Sequence, residues 1–227
     1  MNKKTLLIAA AALAAVGSAH AQDLEGFEVS GNVAFTSDYR FRGVSLSADE
    51  FAIQGGFDAA HESGFYVGTW ASSIDEFAGS ETELDFYAGY GFEAGGLAFD
   101  VGAISYFYPG SDDTEYYEVY GSVSGTVGVA ELTGGLAYAP DQDNLGDDNV
   151  YVYADAGFPL GESPFSLGLH VGLEDGAFGD EKIDYAVSLD TSYAGLDLSA
   201  AWVDTDAEDY LGEIAEGGVV FTIGKSM

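Results

Sequence analysis

Carboxylates, tyrosines and a handful of bases are the residues of this chain that could do chemistry. Asp58, Asp85, Asp100, Glu131, Asp155, Asp190 and Asp197 recur at positions where polar residues alternate with apolar ones. Tyr66, Tyr87, Tyr106, Tyr120, Tyr151 and Tyr153 share the same side of that alternation. Arg40 and Arg42, half of the Lys and Arg between Gln22 and Met227, stand two apart and share a side as well. Such a set can line a path for cations or simply fill a hydrated interior, and carboxylates this numerous point to no particular catalysis. The preferred role for the arginines is to neutralise acids such as Asp38, Asp85 or Glu118, because a guanidinium fork suits a carboxylate. The other role is a constriction that meets an anionic group.

Catalysis has little to work with. Of three histidines, His20 lies in the N-terminal leader, His61 in a short turn, and His170 stands alone among glycines. No nucleophile-elbow motif accompanies them. The absence of cysteine excludes a thiol nucleophile, a thiolate metal site and a disulfide scaffold. Asp141-Gln142-Asp143-Asn144-Leu145-Gly146 imitates the start of a calcium loop, but Leu145 and Val152 stand where ligands are needed, which excludes an EF-hand. The expectation is a protein that is not an enzyme and carries no cofactor, with any metal unknown. A formal charge of −33 repels phosphate and argues against nucleic acid.

The elements that must position these residues are strands. Lys3, Lys4, the apolar Leu6–Val16 and Ala19-His20-Ala21 form a cleavable export signal, so residues 1–21 are expected to be removed and 22–227 to form one domain. Past that leader no apolar run approaches the roughly 18 residues that mark a membrane helix candidate. Period-two alternation dominates instead. Phe27, Val29, Val33, Phe35, Tyr39 and Phe41 lie on one face of the first segment, opposite Glu28, Ser30, Asn32, Thr36, Asp38, Arg40 and Arg42. Similar segments recur near 51–60, 65–73, 82–92, 97–108, 116–124, 127–139, 149–158, 165–173, 183–193, 196–204 and 216–225. Most have the length a tilted strand needs to cross a bilayer.

The connections alternate too. Short ones near 61–64, 93–96, 124–126, 159–163 and 193–195 are interleaved with acidic ones near 75–81, 109–115, 140–148, 174–182 and 204–213. This predicts an all-β fold: a single closed antiparallel transmembrane β-barrel of about twelve strands, with short periplasmic turns and long acidic external loops. Closure leaves no unpaired edge. Phe65, Phe92, Phe99, Phe158, Phe165 and Tyr193 are expected to form one outward aromatic girdle. Tyr39, Phe41, Phe51, Phe107, Tyr117, Tyr185 and Trp202 are expected to form the other. The acids, tyrosines and two arginines named first then line the lumen.

Ser37-Asp38-Tyr39-Arg40-Phe41-Arg42-Gly43-Val44-Ser45 resembles the opening motif of the TorF-type porins, the Gcw_chp family of bacterial outer-membrane proteins. The resemblance continues through Gln54-Gly55-Gly56-Phe57, Gly64–Ser72, Glu83–Tyr90 and Gly102–Gly110, and the second half agrees in pattern more than in wording. It implies a porin of the Gram-negative outer membrane. The expected activity is passive diffusion of small hydrophilic solutes, with cations favoured. Expected partners are outer-membrane lipid and lipopolysaccharide, divalent cations at the external loops, and the barrel-assembly machinery, whose signal Val219, Phe221 and Ile223 keep in weakened form, since Met227 stands where such barrels carry an aromatic residue. Two rivals stand beside it: a non-conducting structural or adhesive barrel, and a soluble exported β-sandwich that binds a ligand.

Overall fold

A computed structural model describes residues 22–24, 26–111 and 114–227; the expected export signal at 1–21 lies outside them. The chain runs β1 (Gln22–Leu24), β2 (Phe27–Thr36), β3 (Arg40–Phe41), β4 (Val44–Ser45), β5 (Ala52–His61), β6 (Phe65–Phe77), β7 (Ser80–Ala94) and β8 (Leu97–Phe107). It continues with β9 (Tyr116–Val127), β10 (Ala130–Ala139), β11 (Asn149–Pro159), β12 (Phe165–Gly176), β13 (Gly179–Tyr193), β14 (Leu196–Thr205), the helical turn α1 (Glu208–Leu211) and β15 (Gly218–Ser226). Strands β2 and β5 to β15 pair antiparallel in order and close when β15 meets β2, from Thr222 opposite Thr36 to Ser226 opposite Asn32. The result is the closed twelve-strand barrel that the alternation predicts. Short β1 pairs with the rest of β2, Gln22 opposite Val29, where β15 has ended.

The wall is inside out compared with a water-soluble core. Phe57, Val67, Val101, Val152 and Phe221 are at least half exposed on the outside, whereas the largest fully buried side chains are led by Glu83, Glu118 and Glu174. Period two explains both faces, because each pleat sends one residue out and the next in. The outward aromatics Phe65, Phe92, Phe165 and Tyr193 at the short-turn end, and Phe51, Phe107, Tyr117, Tyr185 and Trp202 at the other, are exposed as expected.

Four sequence expectations are corrected. Strand β2 stops at Thr36, and residues 37–47 turn inward before the chain returns to the wall, so Tyr39 is buried and Phe41 packs on the lumen residue Tyr106, 5.9 Å between ring centroids. Alternation ran on through Phe41 because Arg40-Phe41 is itself a strand, β3, paired with β4. The expected loops 75–81 and 174–182 are instead tight hairpins turning at Ala78-Gly79 and Ala177-Phe178. Their acids sit on strand extensions that carry no apolar stripe. The turn expected at 124–126 lies at Gly128-Val129, since Ser124 to Val127 continue the strand.

Candidate functional site: a hairpin docked in the lumen

Residues 37–51 form a compact insert carrying the β3–β4 hairpin. Its tip, Arg42-Gly43, has φ of 49° and 86°, the left-handed pair that a two-residue hairpin turn needs. Gly43 is required there for space as well. A Cβ at that position would lie 2.7 Å from Thr205 Cβ and 2.9 Å from Asp184 Cβ, both on the barrel wall. The insert holds itself through Asp38, whose carboxylate accepts Ser45 Oγ at 2.6 Å, Ser47 Oγ at 3.1 Å and Arg40 Nε at 2.5 Å. Arg40 also reaches Asp49 at 2.8 Å and donates to the carbonyl of Glu216 at 2.6 Å, tying the insert to the connection before β15.

Arg42 anchors the insert across the lumen. Its two terminal nitrogens pair with Glu118 of β9 at 2.6 Å and Glu174 of β12 at 2.5 Å. Lys182 of β13 pairs with the other oxygen of Glu174 at 2.5 Å and donates to the Arg42 carbonyl at 3.0 Å. The guanidinium lies 4.3 Å from the centroid of Tyr151 and 4.6 Å from that of Phe41. Tyr39 donates to Glu83 of β7 at 2.6 Å. Every charged partner in this network is buried, so the charges meet in a low-dielectric space where a complete set of pairs is strong and a missing member is costly. The insert thereby crosses the long-loop half of the lumen and is held to the wall by buried pairs.

The short-turn half is lined differently. Tyr66 donates to Asp100 at 2.8 Å and shares a 2.6 Å hydrogen bond with Tyr120, and Tyr87 donates to Asp58. Tyr66 and Tyr87 lie across Gly89 and Gly68 of the neighbouring strand; a Cβ at Gly89 would sit 2.2 Å from the Tyr66 hydroxyl oxygen. Glycine thus lets these rings lean along the wall. His170 is not alone. Its ring nitrogens meet Asp155 at 2.6 Å and Asp184 at 2.9 Å, with the Tyr151 hydroxyl 2.9 Å away. Asp58, Tyr87, Tyr120, Tyr153, Asp155 and His170 keep partial exposure, unlike the buried network above them.

The acids named from the sequence do not form one site. Asp85 lies under the insert; Asp58, Asp100 and Asp155 belong to the tyrosine belt. Asp190 accepts Ser188 at 2.6 Å and Asp197 accepts Ser192 at 2.6 Å, both toward the short-turn end, where Glu131 is exposed. The arginines do pair with Asp38 and Glu118, as preferred from sequence, while no ion pair joins either to Asp85 among the described residues. Glu83, Glu174, Lys182 and Asp184 also belong to the lumen network, although the sequence does not single them out. Lys182, a solitary base in an acidic stretch, was the available signal. Among the described residues no three His, Asp or Glu converge on a possible metal.

The chain belongs to the Gcw_chp family, a bacterial protein family of unknown function whose pattern matches residues 20–226. That match does not carry the TorF-type label. No curated protein matches the chain in sequence. Among solved structures, the barrel is similar to the KdgM porin at 10% identity, TM-score 0.59, covering 87% of this chain and 97% of that one. It is also similar to the NanC porin at 12% identity, TM-score 0.56, covering 86% and 97%. An outer membrane channel from Pseudomonas putida F1 aligns at 10% identity, TM-score 0.51, over 94% and 100%. At these identities the likeness is one of fold.

Proposed function

We propose that this chain is an outer-membrane channel of the porin class, as the TorF-type resemblance implies, passing small hydrophilic solutes with cations favoured. The observation that carries this reading is a closed barrel with an apolar exterior and a charged interior, an arrangement suited to lipid outside and water inside. Solved barrels similar to it are named as porins or outer membrane channels, which supports the class. Carboxylates outnumber bases on the inner face, and a negative lumen concentrates cations. Residues 37–51 act as the constriction. Export through residues 1–21, contact with lipopolysaccharide and divalent cations at the acidic connections belong to the same proposal.

The insert across the long-loop half favours a second reading, a barrel that does not conduct and serves a structural or adhesive role. Recording purified protein in planar bilayers under KCl separates the two: steps of conductance support the channel, and a silent bilayer with folded protein supports the rival.

A further inference from the structure

Asp85 is a carboxylate without a counterpart. It is 4% exposed, and no hydrogen bond or ion pair reaches its side chain among the described residues; its Oδ1 is wholly buried and unpartnered. Glu118 Oε1 is in the same condition, although its Oε2 serves Arg42 and accepts Tyr106 at 3.2 Å. The buried bases among the described residues are already committed, Arg40 to Asp38 and Asp49, Arg42 to Glu118 and Glu174, and Lys182 to Glu174. An ionised carboxylate removed from water with no partner is strongly disfavoured, so Asp85 is neutralised either by a proton or by a positive charge that the chain does not supply.

The surroundings say which kind. In strand register Asp85 lies between Trp70 of β6 and Tyr106 of β8, all three on the inner face. The insert closes over them, with Tyr39 edge-on to Trp70 at 5.3 Å and Phe41 edge-on to Tyr106 at 5.9 Å between centroids. One free carboxylate among aromatic rings is poor chemistry for a divalent metal, which wants several oxygens. It suits a weakly hydrated ammonium, which gains from both the carboxylate and the rings. We propose that Asp85, walled by Trp70 and Tyr106 from the barrel and Tyr39 and Phe41 from the insert, binds a small ammonium-type cation between insert and wall. This deepens the channel reading by naming a substrate class, and only its role in passage rests on that reading.

The sequence supplies its own reporter. The chain has two tryptophans, and Trp202 faces outward, so Trp202→Phe leaves Trp70 beside Asp85 as the sole indole. The full chain, refolded in detergent micelles at fixed pH, would be titrated with methylammonium chloride and, at equal ionic strength, with the bulky N-methylglucamine chloride. The expected result is a saturable change in Trp70 emission with methylammonium alone. In Asp85→Asn the half-saturation point should rise about tenfold or more, as for losing one bond to a charged group. Folding of each variant is checked by its faster migration on gels when unheated, and the comparison of the two cations in the Trp202→Phe protein stands even if Asp85→Asn does not fold. An equal response to both cations, an unchanged response in folded Asp85→Asn, or emission that follows pH alone would overturn the proposal. A silent bilayer would count against the channel but leave this titration untouched, so the two failures are distinguishable.

Discussion

Arg42 concentrates the account into one side chain. It joins two strands from different parts of the wall, β9 and β12, through an insert that arrives from β2. Replacing it with Ala leaves Glu118 and Glu174 buried with less positive charge, a loss on the order of 3–5 kcal/mol for a broken buried pair. Denaturant unfolding of Arg42→Ala in micelles is therefore expected to show a clear drop in midpoint, while Lys225→Ala, whose side chain makes no ion pair among the described residues, should leave it within error. That the arginines meet acids was legible in the sequence, with Glu118 one of three acids named, because a guanidinium surrounded by carboxylates has few other uses; which arginine meets which acid was not. Glu174 and Lys182 were not, since a Gly-punctuated acidic stretch reads as a loop. Only the register that places Glu174 opposite Lys182 turns it into a buried ion pair.

At the scale of the element, the insert depends on one backbone position. Gly43 has φ of 86° and no room for a side chain against Thr205 and Asp184. Gly43→Ala is expected to undock the insert without opening the barrel wall: heat-modifiable migration should persist, and limited proteolysis should newly cut within 37–51. Unchanged protease resistance would contradict the docking described. The wall has a comparable constraint at Gly89, where a Cβ would meet the Tyr66 hydroxyl oxygen at 2.2 Å and the Val101 carbonyl oxygen at 2.8 Å. Gly89→Ala should cost about 1–3 kcal/mol through forced displacement, read from the same unfolding curves. Strand number and facing were open to sequence reading because period two repeats over most segments. The inward turn of residues 37–51 was not, because a short hairpin alternates just as a wall strand does and nothing local says which space it enters.

For the whole molecule, polarity inside and apolarity outside predict where the chain resides and which way it faces. With short turns periplasmic, a membrane-impermeant thiol reagent added to intact cells should label a cysteine placed at Gly146 and spare one at Gly64; the opposite pattern would reverse the orientation. The central claim is a cation-favouring channel narrowed by the insert, and it is tested most directly by paired planar-bilayer recordings of the wild-type chain and Arg42→Ala across a KCl gradient. Discrete steps are expected, with a reversal potential that reports preference for K⁺. Arg42→Ala should show larger conductance with that preference kept or strengthened. Raising the salt should shrink the preference, because the Debye length falls to about 3 Å at 1 M. Silence from both folded proteins, or a preference for Cl⁻, would contradict it.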